Sequence, residues 1–190
     1  MSTVAPQIED RGIDEIYVDL SDIPEETSIL AQRIKDAVFA ATGLSCSIGV
    51  TPNKLLSKIA SDLEKPNGLT ILSMEDVPTR IWPLAAKKVN GIGPKASERL
   101  ERHGIRTIGE LAAAPQEFLV SKFGRSTGLW MYRIARGIDE RPVVTESEPK
   151  SISRETTFER DLHAKADRSE LSEVFTSLCL RVGDDLVRKG

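Results

Sequence analysis

The sequence predicts an α+β fold, and three observations predict it. Over the first 82 residues, short alternating β-type runs are interleaved with segments of helical period. From Pro83 the strand signal stops, and short helical segments follow between glycine- and proline-bearing turns. After residue 150, one alternating run and one long amphipathic helix close the chain. Strands mixed with helices in the first part indicate an α/β or α+β layer with helices packed on a sheet, followed by an all-helical unit.

After a polar start, Ile13 to Leu20 reads as a strand with Asp14, Ile16, Val18 and Leu20 on one face. Ser21 to Glu26, with Pro24, is a loop. Leu30, Ile34, Val38 and Ala41 recur at helical spacing, and Gly43 supplies a C-terminal stop. Leu44, Cys46, Ile48 and Val50 alternate as a second strand. A short helix follows with Leu55, Ile59 and Leu63 on one side. Pro66-Asn67-Gly68 is a turn, and Leu69 to Leu72 make a third strand. Ser73 with Asp76 forms a capping box for the next helix. Helices are then expected at about 84–89, 95–103, 107–113, 116–122 and 126–136. Residues 138–149, with two prolines and four acidic residues, read as a linker. Ile152, Arg154, Thr156 and Phe158 alternate as another strand. The last helix carries an apolar stripe of Leu171, Val174, Leu178, Val182 and Leu186 with no partner in sight. A lone strand and helix cannot bury their apolar faces alone, so a truncated C-terminus is expected.

Composition narrows the function classes. With 39% hydrophobic and 29% charged residues the chain fits an ordinary soluble globular protein. No apolar run approaches the ~20 residues a membrane helix needs, and no basic stretch follows Met1, so neither membrane partner nor leader is expected. Cys46 and Cys179 match no metal or redox spacing and suit a reducing cytoplasm. His103 and His163 are the only histidines, so His-based zinc sites and Ser–His–Asp catalysis are poorly supported. The net charge of −3 hides a segregated layout. Residues 1–76 hold 6 basic against 13 acidic side chains, whereas residues 87–136 hold 10 against 4. Such halves suit cation binding in one and phosphate binding in the other, although chance segregation of surface charge explains them almost as well.

Two constellations stand out. Asp14-Glu15 offers paired hard oxygen donors of the kind Mg²⁺ prefers. Adjacent strand residues point to opposite faces, so both reach one centre only at a bend, which Arg11-Gly12 is placed to supply. On the residues alone, a solvated surface pair is the favoured reading, because Glu25-Glu26, Asp139-Glu140 and Asp184-Asp185 are equally acidic. Val89-Asn90-Gly91-Ile92-Gly93-Pro94-Lys95 is sharper. Gly91 and Gly93 let the backbone turn tightly, and Pro94 opens a helix whose free amides face outward as an anion site. With helices on both sides this is a helix–hairpin–helix, ringed by Lys87, Lys88, Lys95, Arg99 and Arg102 and suited to backbone phosphates. An ordinary helix–helix turn is the weaker alternative. Lys54, Lys58 and Lys65 read as exposed surface lysines.

These segments in this order resemble the Y-family (lesion-bypass) DNA polymerases of the DinB type. Gly12-Ile13-Asp14-Glu15-Ile16-Tyr17-Val18-Asp19 is similar to the family's palm motif, with Gly12 in place of its usual Ser. Ser47 to Lys54, Lys58 to Asp62 and Lys65-Pro66-Asn67-Gly68 resemble its second signature block. The Gly91/Gly93 hairpin matches the thumb. Gly137 to Val143, Lys150 to Ser153 and Glu155 to Phe158 look like the thumb exit and the entry to the little finger.

The resemblance implies a partial palm at 1–82 (a mixed sheet with packed helices), an all-helical thumb at 83–137, a linker at 138–149 and the start of an α/β little finger at 150–190. It implies that Asp14 is a metal ligand and that Glu15 is the catalytic carboxylate, which also holds metal. Lys65 would contact the triphosphate, and Gly91, Gly93 and Lys95 would grip DNA. Two Mg²⁺ ions, primer–template DNA and a deoxynucleoside triphosphate are the expected cofactor and partners. The family's opening strand and fingers do not precede Asp14, and its clamp-binding tail does not follow. A fragment inactive by itself is therefore expected. The alternatives are a non-catalytic DNA-binding module using the hairpin, and an unrelated α/β protein.

Overall fold

The computed structural model describes residues 7–146 and 151–189. Residues 1–145 form one compact unit and residues 146–190 another.

The first unit opens with a hairpin that the sequence shows only in half. Strands β1 (Gln7–Asp10) and β2 (Ile16–Asp19) pair antiparallel, Glu9 opposite Tyr17 and Asp10 opposite Ile16. The strand expected from Ile13 begins at Ile16 instead, and Asp14 and Glu15 lie in the connection. β1 escapes a pattern search because Gln7-Ile8-Glu9-Asp10 is short and polar, and only its pairing with β2 makes it a strand.

Helix α1 (Thr27–Thr42) ends at Gly43 in the left-handed conformation, as expected. Its buried face is Leu30, Ala31, Ile34 and Lys35, so the stripe drifts away from Ala41, and a lysine occupies a core position. Strand β3 (Ile48–Val50), helix α2 (Lys54–Leu63) and strand β4 (Leu69–Ile71) make a βαβ unit with β3 and β4 parallel. Gly49 lets the strand lie directly on α2: a Cβ there would meet Ser57 O at 2.3 Å and Ser61 N at 2.5 Å. Among the described residues the four strands pair as two separate two-stranded ribbons, within an α+β layer.

The Ser73/Asp76 capping box is present and opens a 3₁₀ turn, Met74–Asp76, that runs into a π-helical turn, Val77–Ile81. A short 3₁₀ helix (Ala86–Lys88) precedes α3 (Pro94–Arg102), α4 (Ile108–Ala113), α5 (Gln116–Phe123) and α6 (Arg125–Ile134). A second capping box, Thr107 with Glu110, starts α4. One buried cluster runs from Leu55, Leu56 and Ile59 on α2 through Val77, Ile81 and Val89 to Leu119, Met131 and Ala135. Residues on either side of position 82 therefore share a core.

In the second unit, α7 (Arg168–Lys189) forms where expected, with Leu171, Val174, Leu178 and Val182 half-buried and Leu186 exposed. The strand expected at 152–158 is corrected: residues 151–158 have no regular structure, because no strand among the described residues pairs with them. The segment is tied to α7 by Arg154, which reaches the buried Asp185. Lys150 and residues 147–149 of the expected linker lie outside the described residues.

Candidate functional site

The carboxylate bend is built by the β1–β2 connection. The Arg11 N–H donates to Glu15 O at 3.0 Å, and the Gly12 N–H to Asp10 Oδ1 at 3.0 Å. Gly12, at φ 130°, takes a backbone conformation that other residues resist. Asp14 sits exposed at the tip of this bend, and Glu15 is half-buried at its base. The geometry meets the requirement that two neighbouring carboxylates leave strand alternation.

The expectation that Lys54 and Lys58 are plain surface lysines is corrected. One helical turn apart, they share a face of α2, and that face lies against the hairpin. Lys58 pairs with Glu15, and this contact raises the lysine above its ordinary value against the opposing effect of partial burial. Lys54 is buried and its Nζ lies 2.6 Å from Glu9 Oε2, itself buried, and 5.5 Å from the centre of the Tyr17 ring. Glu9 also accepts the Val144 N–H at 2.9 Å. Burial pushes the Glu9 carboxyl up, but Lys54, the Val144 amide and the charge of Arg11 outweigh it and hold it below the ordinary glutamate value. These partners lie 43 and 45 residues apart in sequence, so local periodicity carries no trace of them.

Lys65 follows α2 and is exposed, pairing with Asp62 at 2.6 Å. Burial raises Asp62, yet the contact with Lys65 and the charges of Lys58, Lys65 and Lys88 hold it below the ordinary aspartate value. Glu15 is paired with Lys58, and Lys65 with Asp62. Glu15 and Lys65 are thus each tied to α2, through Lys58 and Asp62, which lie one helical turn apart on it.

The hairpin at 89–93 links the 3₁₀ turn to α3. Gly91 has φ 105°, and a Cβ there would stand 2.8 Å from two ring carbons of Trp130. Gly93 is the N-cap of α3, and Pro94 fills its first turn. No side chain caps that end, and a Cβ at Gly93 would meet nothing within 4 Å. Lys87, Lys88, Lys95 and Arg99 are all exposed around it. Arg99 lies over the Phe123 ring at 5.0 Å, and Arg102 pairs with Glu98. An open helix end ringed by cations suits a phosphate.

A joint unseen in the sequence ties α2 to the exit of α6. Asn53 caps α2 through Leu56 N and donates its Nδ2 to Gly137 O at 2.8 Å. Asp139 accepts the Leu55 N–H at 3.0 Å and takes Arg141 in a two-pronged pair at 2.7 and 2.8 Å. The Arg141 contact holds the Asp139 carboxyl below its ordinary value despite burial.

Among the described residues, no three His, Cys, Asp or Glu side chains converge as a metal centre. Asp14 and Glu15 are nonetheless a donor set that fits Mg²⁺, which takes one or two carboxylates and completes its shell with water and substrate phosphates.

Three family models match the chain: impB/mucB/samB family at residues 1–62, DNA polymerase-iota thumb domain at 87–139 and impB/mucB/samB family C-terminal domain at 149–190. DNA polymerase IV of Methanoculleus marisnigri is 44% identical over 163 residues, covering 85% of this chain and 45% of that protein. DNA polymerase IV of Alkalilimnicola ehrlichii is 38% identical over 188 residues, covering 97% and 52%. The crystal structure of DinB from Sulfolobus solfataricus superposes with a TM-score of 0.67 at 28% identity, covering 76% of this chain and 43% of that one. The chain thus spans about half the length of the relatives it matches.

Proposed function

Because the chain belongs to the DinB type of the Y-family DNA polymerases, we propose that it carries palm and thumb elements of a lesion-bypass enzyme. The reaction is template-directed transfer of a deoxynucleotide to a primer 3′-oxygen with release of pyrophosphate. What carries the reading is the bend that sets Asp14 and Glu15 side by side, beside the lysine face of α2. Asp14 and Glu15 would hold Mg²⁺, which when bound stabilises charge on the attacking and leaving oxygens. Lys65 would contact the triphosphate of the incoming nucleotide. The open end of α3, with Gly91, Gly93 and Lys95, would hold duplex backbone phosphates. The residue groups 1–82, 83–137 and 150–190 would be palm, thumb and little finger, joined at 138–149. A cytoplasmic location and a sliding-clamp partner belong to the same proposal.

Catalysis of phosphoryl transfer is mainly positioning and electrostatics. Lys58 orients the Glu15 carboxylate, and Asp62 holds Lys65 in readiness. Among the described residues no three carboxylates converge on one centre at the bend, and the 190-residue chain is expected to extend no primer by itself.

The test is primer extension by a protein extended to the relatives' full length. Glu15→Gln and Asp14→Asn should each lower the rate by roughly a thousandfold while leaving folding intact. Near-normal extension by either variant would remove Asp14 and Glu15 from the catalytic site, whereas no extension by the native full-length protein, with duplex binding retained, would favour a DNA-binding module instead.

A further inference from the structure

Lys35 is an anomaly of the core. It is only 9% exposed, yet it forms none of the ion pairs found among the described residues. Its ammonium is enclosed by four neutral oxygens: Cys46 O at 2.9 Å, Asn67 O at 2.7 Å, Asn67 Oδ1 at 2.8 Å and Gly68 O at 3.2 Å. An ammonium has three N–H donors, so this cage uses them all. It gathers the chain entering β3, the turn entering β4 and helix α1 at one point. Gly68 O also accepts the Ile48 N–H at 3.0 Å, which starts the β3–β4 ladder.

Burying a cation without an anion is costly, and a methionine would fill the space without that cost. The charge is retained where the turn begins: Asn67 is two residues beyond Lys65. Lys65 is itself paired with Asp62, as Lys58 is with Glu15. Among the described residues, the cation bonded to this turn without a carboxylate partner is that of Lys35.

We infer that Lys35 is a positioning residue of the triphosphate site, fixing the 65–68 turn through its oxygen cage and lending it the charge that Lys65 shares with Asp62. The inference rests on the reading of Lys65 as a triphosphate contact.

The probe is inorganic tripolyphosphate, titrated into the 190-residue chain while the backbone amide resonances of residues 65–70 are followed by NMR. Lys35→Met should weaken binding about fivefold or more, the order expected for removing a unit charge within several ångströms of a polyanion. Asn67→Gly keeps access to the positive φ of 56° while removing one cage oxygen, and should weaken binding about twofold. It serves as the second variant if Lys35→Met fails to fold. Leu30→Ala, which removes a fully buried side chain from the same helix, is the control for destabilisation and should leave the affinity unchanged. If Lys35→Met and Asn67→Gly bind as Leu30→Ala does while Lys65→Ala is weakened, the inference about Lys35 falls and the reading of Lys65 stands. If Lys65→Ala binds as the native chain does, or if no amide at 65–70 responds, the reading of Lys65 falls and the inference with it.

Discussion

Replacing Glu9 by Gln tests whether the β1–β2 hairpin is fastened to α2 by a buried ion pair. The two side chains are 8% and 10% exposed, with Nζ and Oε2 2.6 Å apart. At an effective dielectric near 20, unit charges about 3 Å apart attract by roughly 5 kcal/mol. Desolvation offsets much of that, but removing one partner strands the other charge, at a cost of about 3–5 kcal/mol. The Gln carbonyl still accepts from Val144, so Glu9→Gln should lie near the low end, about 3 kcal/mol, lowering Tm by about 10 °C. Lys54→Met should cost a similar amount, whereas the double variant should recover about 2 kcal/mol of the summed loss. Urea titrations of the four proteins at neutral pH supply the cycle. The pH dependence has a fixed sign. The carboxyl is held below its ordinary value of 4.5, so its stabilisation is complete above that value and fades as pH falls through the lower folded value. The gap between native chain and Glu9→Gln should be flat from neutral pH down to about 5.5, then narrow in acid. Additive single variants, each costing under about 0.5 kcal/mol, would show an exposed pair and refute the fastening.

Asp139→Asn should destabilise the first unit by about 1–2 kcal/mol in urea, because it weakens both the cap on Leu55 N and the Arg141 pair. That stabilisation is complete above the ordinary aspartate value of 3.8 and is lost as pH falls through the lowered folded value. Gly91→Ala should cost about 1–3 kcal/mol in a thermal melt, since its Cβ meets Trp130 at a strained φ. Gly93→Ala, with open space and an ordinary φ of −75°, should stay within about 0.5 kcal/mol. Lys95→Ala should weaken duplex DNA binding alike for all sequences and lower the salt slope by ~1, measured by fluorescence anisotropy against salt.

The legible parts of this chain are those whose cause is local. Gly43 ends α1, Ser73 and Asp76 cap the next turn, and Gly91 with Pro94 marks the hairpin, because each device acts within a few residues. Strand β1 was illegible because a four-residue polar strand exists only by pairing with β2. The alternation at 152–158 misled for the converse reason: the pattern is there, but no ladder among the described residues pairs with it. At the candidate site, ordered motifs single out Asp14, Glu15 and Lys65, while Lys54 and Lys58 read as solvated charge and Lys35 carries no signal at all. Their partners are distant in sequence, and a lysine buried by a far carboxylate or carbonyl cage leaves no periodic signature. Asp139 looked like linker acidity for the same reason, although it caps a helix 84 residues away.

The shared core changes what the boundary at 82/83 means. Helix α2 is held at its start by Gly137 and Asp139, and near its end Ile59, Asp62 and Leu63 line a small cleft with Leu84 and Lys88, just before the hairpin. One face of α2 carries Lys54 and Lys58 onto the carboxylate hairpin, while Leu55, Leu56 and Ile59 enter the cluster that includes Val89 and Ile92. The carboxylate bend and the 89–93 hairpin thus both pack against the same helix, through its lysine face and its buried apolar face. Close-packed interiors transmit displacement instead of absorbing it. On the proposed function this has a direct consequence, because misplacing reacting groups by about 1 Å costs phosphoryl transfer roughly a hundredfold. On that proposal, a duplex gripped at Gly91 and Gly93 would be held in register with Asp14 and Glu15 by α2 itself. Loosening Asp139 should therefore slow primer extension more than it weakens DNA binding.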